Sequence, residues 1–251
     1  MPSYPLRALV LRKTKLGETD LILHLLADDG RIVRAVAKGM RKPTSRFAGR
    51  LEPGSVADLM LNTGRSLEII SDARSVDLHP ALRDDYDRST AASVVLDVLD
   101  KMALEGQAEE RLFGLAQATL AALESAEGDA HIRAVVTAFL VKAMAMHGYR
   151  PHLDSCVSCA CETSATSGFS LEAGGVVCPA CGTGAGAVPK LSPAARDLIG
   201  RLLAATMAEV AAADLPARPL AEGFALVRAF VGYHLPARVK ALDFYAAGAG
   251  S

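Results

Sequence analysis

Tryptophan is absent from the 251 residues, and aromatic side chains of all kinds make up only 5%. Before Tyr86 the only aromatics are Tyr4 and Phe47. A protein that grips single strands by stacking bases needs several rings on one surface, and the N-terminal part cannot supply them. Long apolar runs are missing too. The longest, around Val135 to Met146, is broken by Lys142 and is too short to span a bilayer. No Gly-x-x-x-x-Gly-Lys-Ser/Thr phosphate loop, Gly-x-Ser-x-Gly elbow or His-Glu-x-x-His pair occurs. The paired carboxylates Asp28-Asp29, Asp84-Asp85 and Glu109-Glu110 fall in a turn, a linker and a helix edge, which are ordinary solvated places. An enzyme is therefore not expected. Met1-Pro2-Ser3-Tyr4-Pro5 leads into structured sequence without a charged-then-apolar segment, so a cytoplasmic location is expected.

Net charge is also nearly absent, at −1, but its distribution is uneven. In the first 50 residues eleven basic side chains stand against four acidic ones, a local net of +7, and the remainder carries −8. Such asymmetry points the N-terminal part at a polyanion. The densest cluster is Lys38-Gly39-Met40-Arg41-Lys42-Pro43-Thr44-Ser45-Arg46. Lys38, Arg41 and Lys42, with Arg31, Arg34 and Arg46 added on charge, are the candidate nucleic-acid contacts. The bland alternative is a solvated basic loop. Without ring stacking, affinity should come from phosphate contacts, tolerate single and double strands, and fall steeply with salt.

Cysteine is scarce, at five, yet four of the five are arranged in pairs. Cys156-Val-Ser-Cys159 and Cys178-Pro-Ala-Cys181, 18 residues apart, have the spacing of a structural zinc site. Four thiolates leave no open position, so such an ion braces a fold and does no catalysis. Disulfides or free thiols are the alternatives, and a reduced compartment favours metal. Cys161 is read as a spare thiol, with ligand swapping as the other possibility. His147 and His152 flank the segment and could replace a cysteine, but the shell is already complete. His234 is read as a capping or buried histidine.

The first 80 or so residues read as five short strands: Leu6–Leu11, Leu21–Leu26, Arg31–Ala37, Val56–Leu61 and Leu67–Ile70. Turns at Asp28-Asp29-Gly30 and Asn62-Thr63-Gly64-Arg65 join two of the pairs. A small barrel such as the OB-fold fits this pattern. From about Tyr86 the period becomes helical, most clearly in Ile132, Val135, Val136, Phe139, Leu140, Ala143 and Met144. Asp129 is the expected N-cap of that helix and Gly148 its end, with Pro151 beyond. Gly168–Leu171 and Gly174–Val177 read as a hairpin inside a zinc segment of about 152–188. Ser192-Pro193 should open the next helix. Ala246–Ser251 reads as a disordered tail. The expected class is α+β: a barrel domain at 1–80, then a helical domain at 81–251 with the zinc module inserted.

Together these features resemble the RecO family of bacterial recombination mediators. The resemblance is carried by Leu16-Gly17-Glu18-Thr19-Asp20, by Ala37–Lys42 with Ser45–Gly54, by the cysteine pairs around Gly168-Phe169 and Gly174-Gly175, and by Tyr233-His234 with Leu242-Asp243-Phe244. It implies an OB domain, a helical domain with a zinc module, and DNA contact for Lys38, Arg41 and Lys42. It further implies binding of single- and double-stranded DNA and annealing of complementary strands. With RecR, members load RecA onto strands coated by single-strand binding protein, whose acidic tail they contact. A cytoplasmic, nucleoid-associated protein without membrane contact follows. Members differ in keeping the cysteines, so the zinc is not expected to do DNA chemistry. Cys161 stands where the family more often has glycine, which bears on the knuckle's geometry. The alternative from another class is a zinc-braced scaffold whose basic barrel docks an acidic protein.

Overall fold

The computed structural model describes residues 2–45, 47, 49–102, 109–163, 167–182 and 188–248. The chain divides into two compact units, Met1–Glu124 and Ser125–Ser251.

The first unit opens with five strands: β1 (Ser3–Leu16), β2 (Asp20–Ala27), β3 (Ile32–Ala37), β4 (Val56–Asn62) and β5 (Glu68–Asp77). They close into a barrel of order β1-β2-β3-β5-β4, in which β1 pairs antiparallel with β4 and β3 runs parallel to β5. This is the OB arrangement expected from the strand pattern. Alternation along the strands fills the interior with Leu6, Ala8, Val10, Leu23, Leu25, Ala35, Leu59 and Leu61. Leu9 and Leu26, paired across β1 and β2, point the other way and are still fully buried. The helix α2 (Tyr86–Met102), which follows the single turn α1 (Ala81–Asp84), packs along β1. An apolar stripe of Val94, Val95, Val98, Leu99 and Met102 makes α2 a buried helix. The helix α3 (Glu110–Ser125) follows.

β1 is longer than the sequence pattern implies. A bulge between Val10 and Arg12 shifts its register, and beyond it β1 pairs only with β2, out to Leu16 opposite Asp20. The far half of β1 therefore runs on past β4 along β2, which stays paired with β3 from Leu21 to Leu26. At the other end, Gly30 (φ 83°) makes the β2–β3 turn, and a Cβ there would lie 2.3 Å from the Glu109 backbone. Only glycine fits.

The second unit is built on α4 (Gly128–Met146), buried on nearly every side from Ala134 to Met144. Around it pack α6 (Pro193–Ala204), α7 (Met207–Ala212) and α8 (Ala217–His234); α9 (Lys240–Gly248) follows. Between α4 and α6 lies a small module. It contains β6 (Ser167–Ser170), β7 (Gly175–Val177), the single turn α5 (Pro179–Gly182) and β8 (Lys190–Leu191), with sheet order β7-β6-β8. The expected hairpin is thus present and gains a third strand. Ser192 caps α6 through a bond from the Ala195 N–H, with Pro193 at the first position, as expected.

Two expectations are corrected. The N-cap of α4 is Glu127 and no side chain caps it; Asp129 lies inside the first turn, where its charge meets the helix dipole. Ala246 to Gly248 are not a loose tail but the last turn of α9, anchored by the buried Leu242 and Tyr245. Residues 249–251 lie outside the described residues. Among the described residues no helix is long and apolar enough to cross a membrane.

Candidate nucleic-acid interface and metal centre

The basic segment follows β3 directly. Gly39 (φ 66°) reverses the chain after Lys38, and its N–H donates to Asp20 Oδ1 at 2.8 Å. The Thr19 hydroxyl donates to the same oxygen, at 2.9 Å. The Gly39 N–H is the main cause holding the Asp20 carboxyl below its usual range, and the Lys38 and Lys42 charges add to it. Arg41 completes the attachment. Its N–H donates to Thr19 O at 2.9 Å, and its guanidinium donates to Glu18 O at 2.7 Å and Gly17 O at 3.3 Å. The Leu16–Asp20 turn is therefore the seat on which the basic loop rests.

Apolar anchors hold the rest of the loop. Met40, Phe47 and Leu51 enter the barrel core at 6%, 2% and 0% exposure, and Lys13 pairs with Glu52. With these side chains turned inward, Lys38, Arg41 and Lys42 are left exposed on the outer side. Lys15 is exposed near the end of β1, opposite Leu21, which in turn is opposite Ala37, so it marks the same end of the sheet. Among the described residues Lys15, Lys38 and Lys42 form no ion pair. Their charge is available to an external anion. The sequence reading passed over Lys15; the hairpin register was the signal that could have found it.

The remaining candidates are not all in one place. Arg31 stands just before β3 and Lys38 just after it, about 23 Å apart at the usual rise per residue. Its guanidinium pairs with Asp29 at 2.7 Å, and Asp29 also accepts from the Arg31 N–H at 3.0 Å. Arg34 is exposed on the outer wall of the barrel, in register with His24 and, through it, with Arg12. Asp100 of α2 forms an ion pair with Arg12 (3.2 Å) and a hydrogen bond with His24 Nδ1 (3.0 Å). Burial, then the Arg12 charge, holds His24 below the ordinary histidine value. Arg46 lies outside the described residues.

The four paired cysteines come together. Cys156, Cys159, Cys178 and Cys181 place their sulfurs within 4.8 Å of one another, an arrangement that could hold a metal ion. A tetrahedron of sulfurs about 2.3 Å from a central zinc has edges of about 3.8 Å. The Cys159 and Cys178 sulfurs are 3.8 Å apart. The donor set and its spacing thus fit a tetrahedral ion. The local folding explains the convergence. After Cys156 the chain turns tightly, with the Ala160 N–H bonded to Cys156 O at 2.8 Å, and α5 turns Cys181 back beside Cys178. The Cys178 N–H donates to Cys156 Sγ at 3.3 Å and pulls that thiol down to about 6, favouring the thiolate a metal requires. The left-handed residue of the first turn is Ala160 (φ 59°), so the position that would suit glycine is 160 and not 161.

The histidines take other roles. His152 Nε2 lies 2.9 Å from the Ser155 hydroxyl, and the His147 ring lies against Tyr149. His234, in the last turn of α8, bonds through Nε2 to Leu171 O at 2.8 Å and stacks on Tyr149. It ties the module's hairpin turn to the helix end.

Comparison with known proteins covers nearly the whole chain. Family models described as Recombination protein O N terminal and Recombination protein O C terminal match residues 1–79 and 83–243. A protein of Frankia casuarinae named DNA repair protein RecO is 37% identical over 247 residues, covering 97% of this chain and 98% of its own. One of the same name from a Nocardioides strain is 37% identical over 244 residues, with 94% and 96% covered. With both halves matched in order and a five-stranded barrel and a thiol cluster in the expected places, the chain belongs to the RecO family.

Proposed function

We propose that this chain is a DNA-repair mediator that holds single- and double-stranded DNA by backbone phosphates at the end of its barrel, over residues 1–80. Lys38 and Lys42 make the contacts, Lys15 joins them, and Arg41 presents the loop. Arg34 extends the surface along the barrel wall, and Arg46 is included on its place in the sequence alone. Arg31, already paired with Asp29, contributes least. The observation that carries this reading is the set of unpaired lysines at one sheet end, held outward by buried anchors beneath them.

The chemistry suits annealing. Two strands repel through their phosphates, and a cationic surface that accepts both lowers that repulsion while leaving bases free to pair. The near absence of rings before Tyr86 serves this end, because a base stacked on protein cannot pair. In the cell, the chain is proposed to act with RecR to load RecA on strands coated by single-strand binding protein, whose acidic tail it contacts. The helical domain, 81–251, is proposed to carry one structural zinc ion on Cys156, Cys159, Cys178 and Cys181. That ion would supply cross-linking of two chain segments and no reaction.

Fluorescence anisotropy with unrelated single- and double-stranded oligonucleotides over a salt series tests the reading. Binding of both, with affinity falling steeply as salt rises, is the expected result. Affinity indifferent to salt, or no binding in dilute buffer, overturns it in favour of a scaffold. Annealing on coated strands with and without RecR tests the finer role.

A further inference from the structure

Aromatic side chains are scarce in this chain, yet the second unit gathers several of them into one run of ring contacts. The inner end of the run is buried. Phe169 of β6 and Phe230 of α8 are 1% and 2% exposed and meet edge to face, with ring centres 5.7 Å apart. Phe230 in turn meets His234 at 4.5 Å, again edge to face. From His234 the run opens to solvent. Tyr149 stacks on the imidazole at 4.3 Å with the planes 29° apart, and Tyr233 meets it at 5.0 Å and 76°. These two tyrosines are 37% and 53% exposed. The backbone fixes both. Past the end of α4, Gly148 turns left-handed (φ 93°) and the Tyr149 N–H donates to Met144 O at 2.8 Å, a helix-closing motif. Tyr233 belongs to the last turn of α8, and His234 beside it is held by its bond to Leu171 O.

The charge flanking these rings does not suit a phosphate backbone. Arg150 follows Tyr149, Glu172 follows Leu171, and both are exposed, so the two charges cancel. What the surface offers instead is ring area at fixed angles, the means by which proteins hold bases and one that the barrel lacks. We propose that Tyr149 and Tyr233, with His234 between them, form a stacking site for the unpaired nucleobases of a single strand. This rests on the reading of the chain as a DNA-binding protein and adds a second mode of contact to it. Barrel lysines attract any phosphate backbone, whereas the tyrosines take only a base whose faces are free, which a duplex does not present. Tyrosine suits the task, since its ring is apolar and its hydroxyl stays in water. Arg150, in no ion pair among the described residues, is the nearest cation in sequence for the phosphate of a base held on Tyr149. A base stacked here is withheld from pairing, so the site grips a short stretch of one strand and leaves annealing to bases elsewhere on it.

Single strands carrying 5-iodouracil, irradiated with the full chain in dilute buffer, test the site on the unaltered protein, because the excited base couples to a ring stacked on it. Adducts at Tyr149 or Tyr233, missing when the same label sits in a duplex, are the expected result. Adducts confined to other residues overturn the proposal. Affinity supplies the second readout. Tyr149→Ala combined with Tyr233→Ala should weaken single-strand binding about tenfold and leave duplex binding as it was, while phenylalanine at both positions keeps the wild-type affinity. An equal loss for both strand types, or no loss at all, overturns it. The two readings fail separately. If neither strand type binds, the DNA-binding reading falls and takes this one with it; if both bind and no adduct reaches either tyrosine, this one falls alone.

Discussion

Two irregular loops carry what is distinctive here, and they are held in place by opposite means. The basic loop after β3 sits over a full barrel interior, so Met40, Phe47 and Leu51 anchor it by ordinary apolar burial. The cysteine module leans outward for its apolar burial, Phe169 packing edge-on against Phe230 of α8. Its own buried cluster is Cys156, Val177 and Cys178, with Val157, Cys181 and Val188 packed against it. A core that small offsets little of the ordering of its backbone, which is the deficit a metal held by the four converging thiols would make good. The contrast also sorts the charges. Beneath the basic loop hydrophobic anchors leave the lysines exposed and outside any ion pair among the described residues, whereas in the module the four thiols turn toward one another.

That contrast can be broken from either side. The largest effect is expected from Cys156→Ser or Cys178→Ser. Either should unfold the module at a cost of several kcal/mol and release metal while DNA affinity at the barrel persists; calorimetry with metal analysis and anisotropy reads both. Next comes Phe47→Ala, which empties a core position at about 3–5 kcal/mol and should lower DNA affinity together with stability. Barrel stability intact in that variant would mean the loop is not anchored as described. Lys38→Ala with Lys42→Ala should leave thermal stability unchanged, weaken binding to both strand types and flatten the salt slope by about 2. Arg41→Ala is expected to cost about 1 kcal/mol through the lost carbonyl bonds, and lysine should not restore it, because one ammonium cannot reproduce the guanidinium fork. The smallest effect concerns His24. Its lowered folded-state value means that the unfolded chain takes up the proton more readily. Its contribution is therefore complete above the ordinary histidine range and declines as pH falls through it, a dependence that His24→Gln should remove from thermal melts.

Much of this was readable in the residues themselves. The five strands, the switch to helical period at Tyr86, the Ser192 cap and the paired cysteines all rest on local patterns: alternation, 3.6-residue repeat, turn chemistry and ligand spacing. Local patterns fail where an element's fate depends on what lies across from it. Beyond Val10 the strand β1 breaks its register at a bulge, so alternation alone ended the strand too early. The turn after α8 continues into α9 because Leu242 and Tyr245 find a buried place, which no propensity announces.

The candidate site divides along the same line. Composition alone showed that the N-terminal residues are cationic and poor in rings, and spacing alone picked out the four cysteines whose sulfurs converge. Both are properties of residue type and sequence distance. Which cations act together is a property of pairing. The sheet register sends Arg31 to the far end of β3 and into the hold of Asp29, brings Lys15 to the near end, and makes Arg41 a fastening for the Leu16–Asp20 turn. The first cysteine turn closes through a left-handed Ala160, with the Cys161 carbonyl accepting from the Cys156 N–H, and a single backbone dihedral of that kind is decided only when the surrounding turn closes.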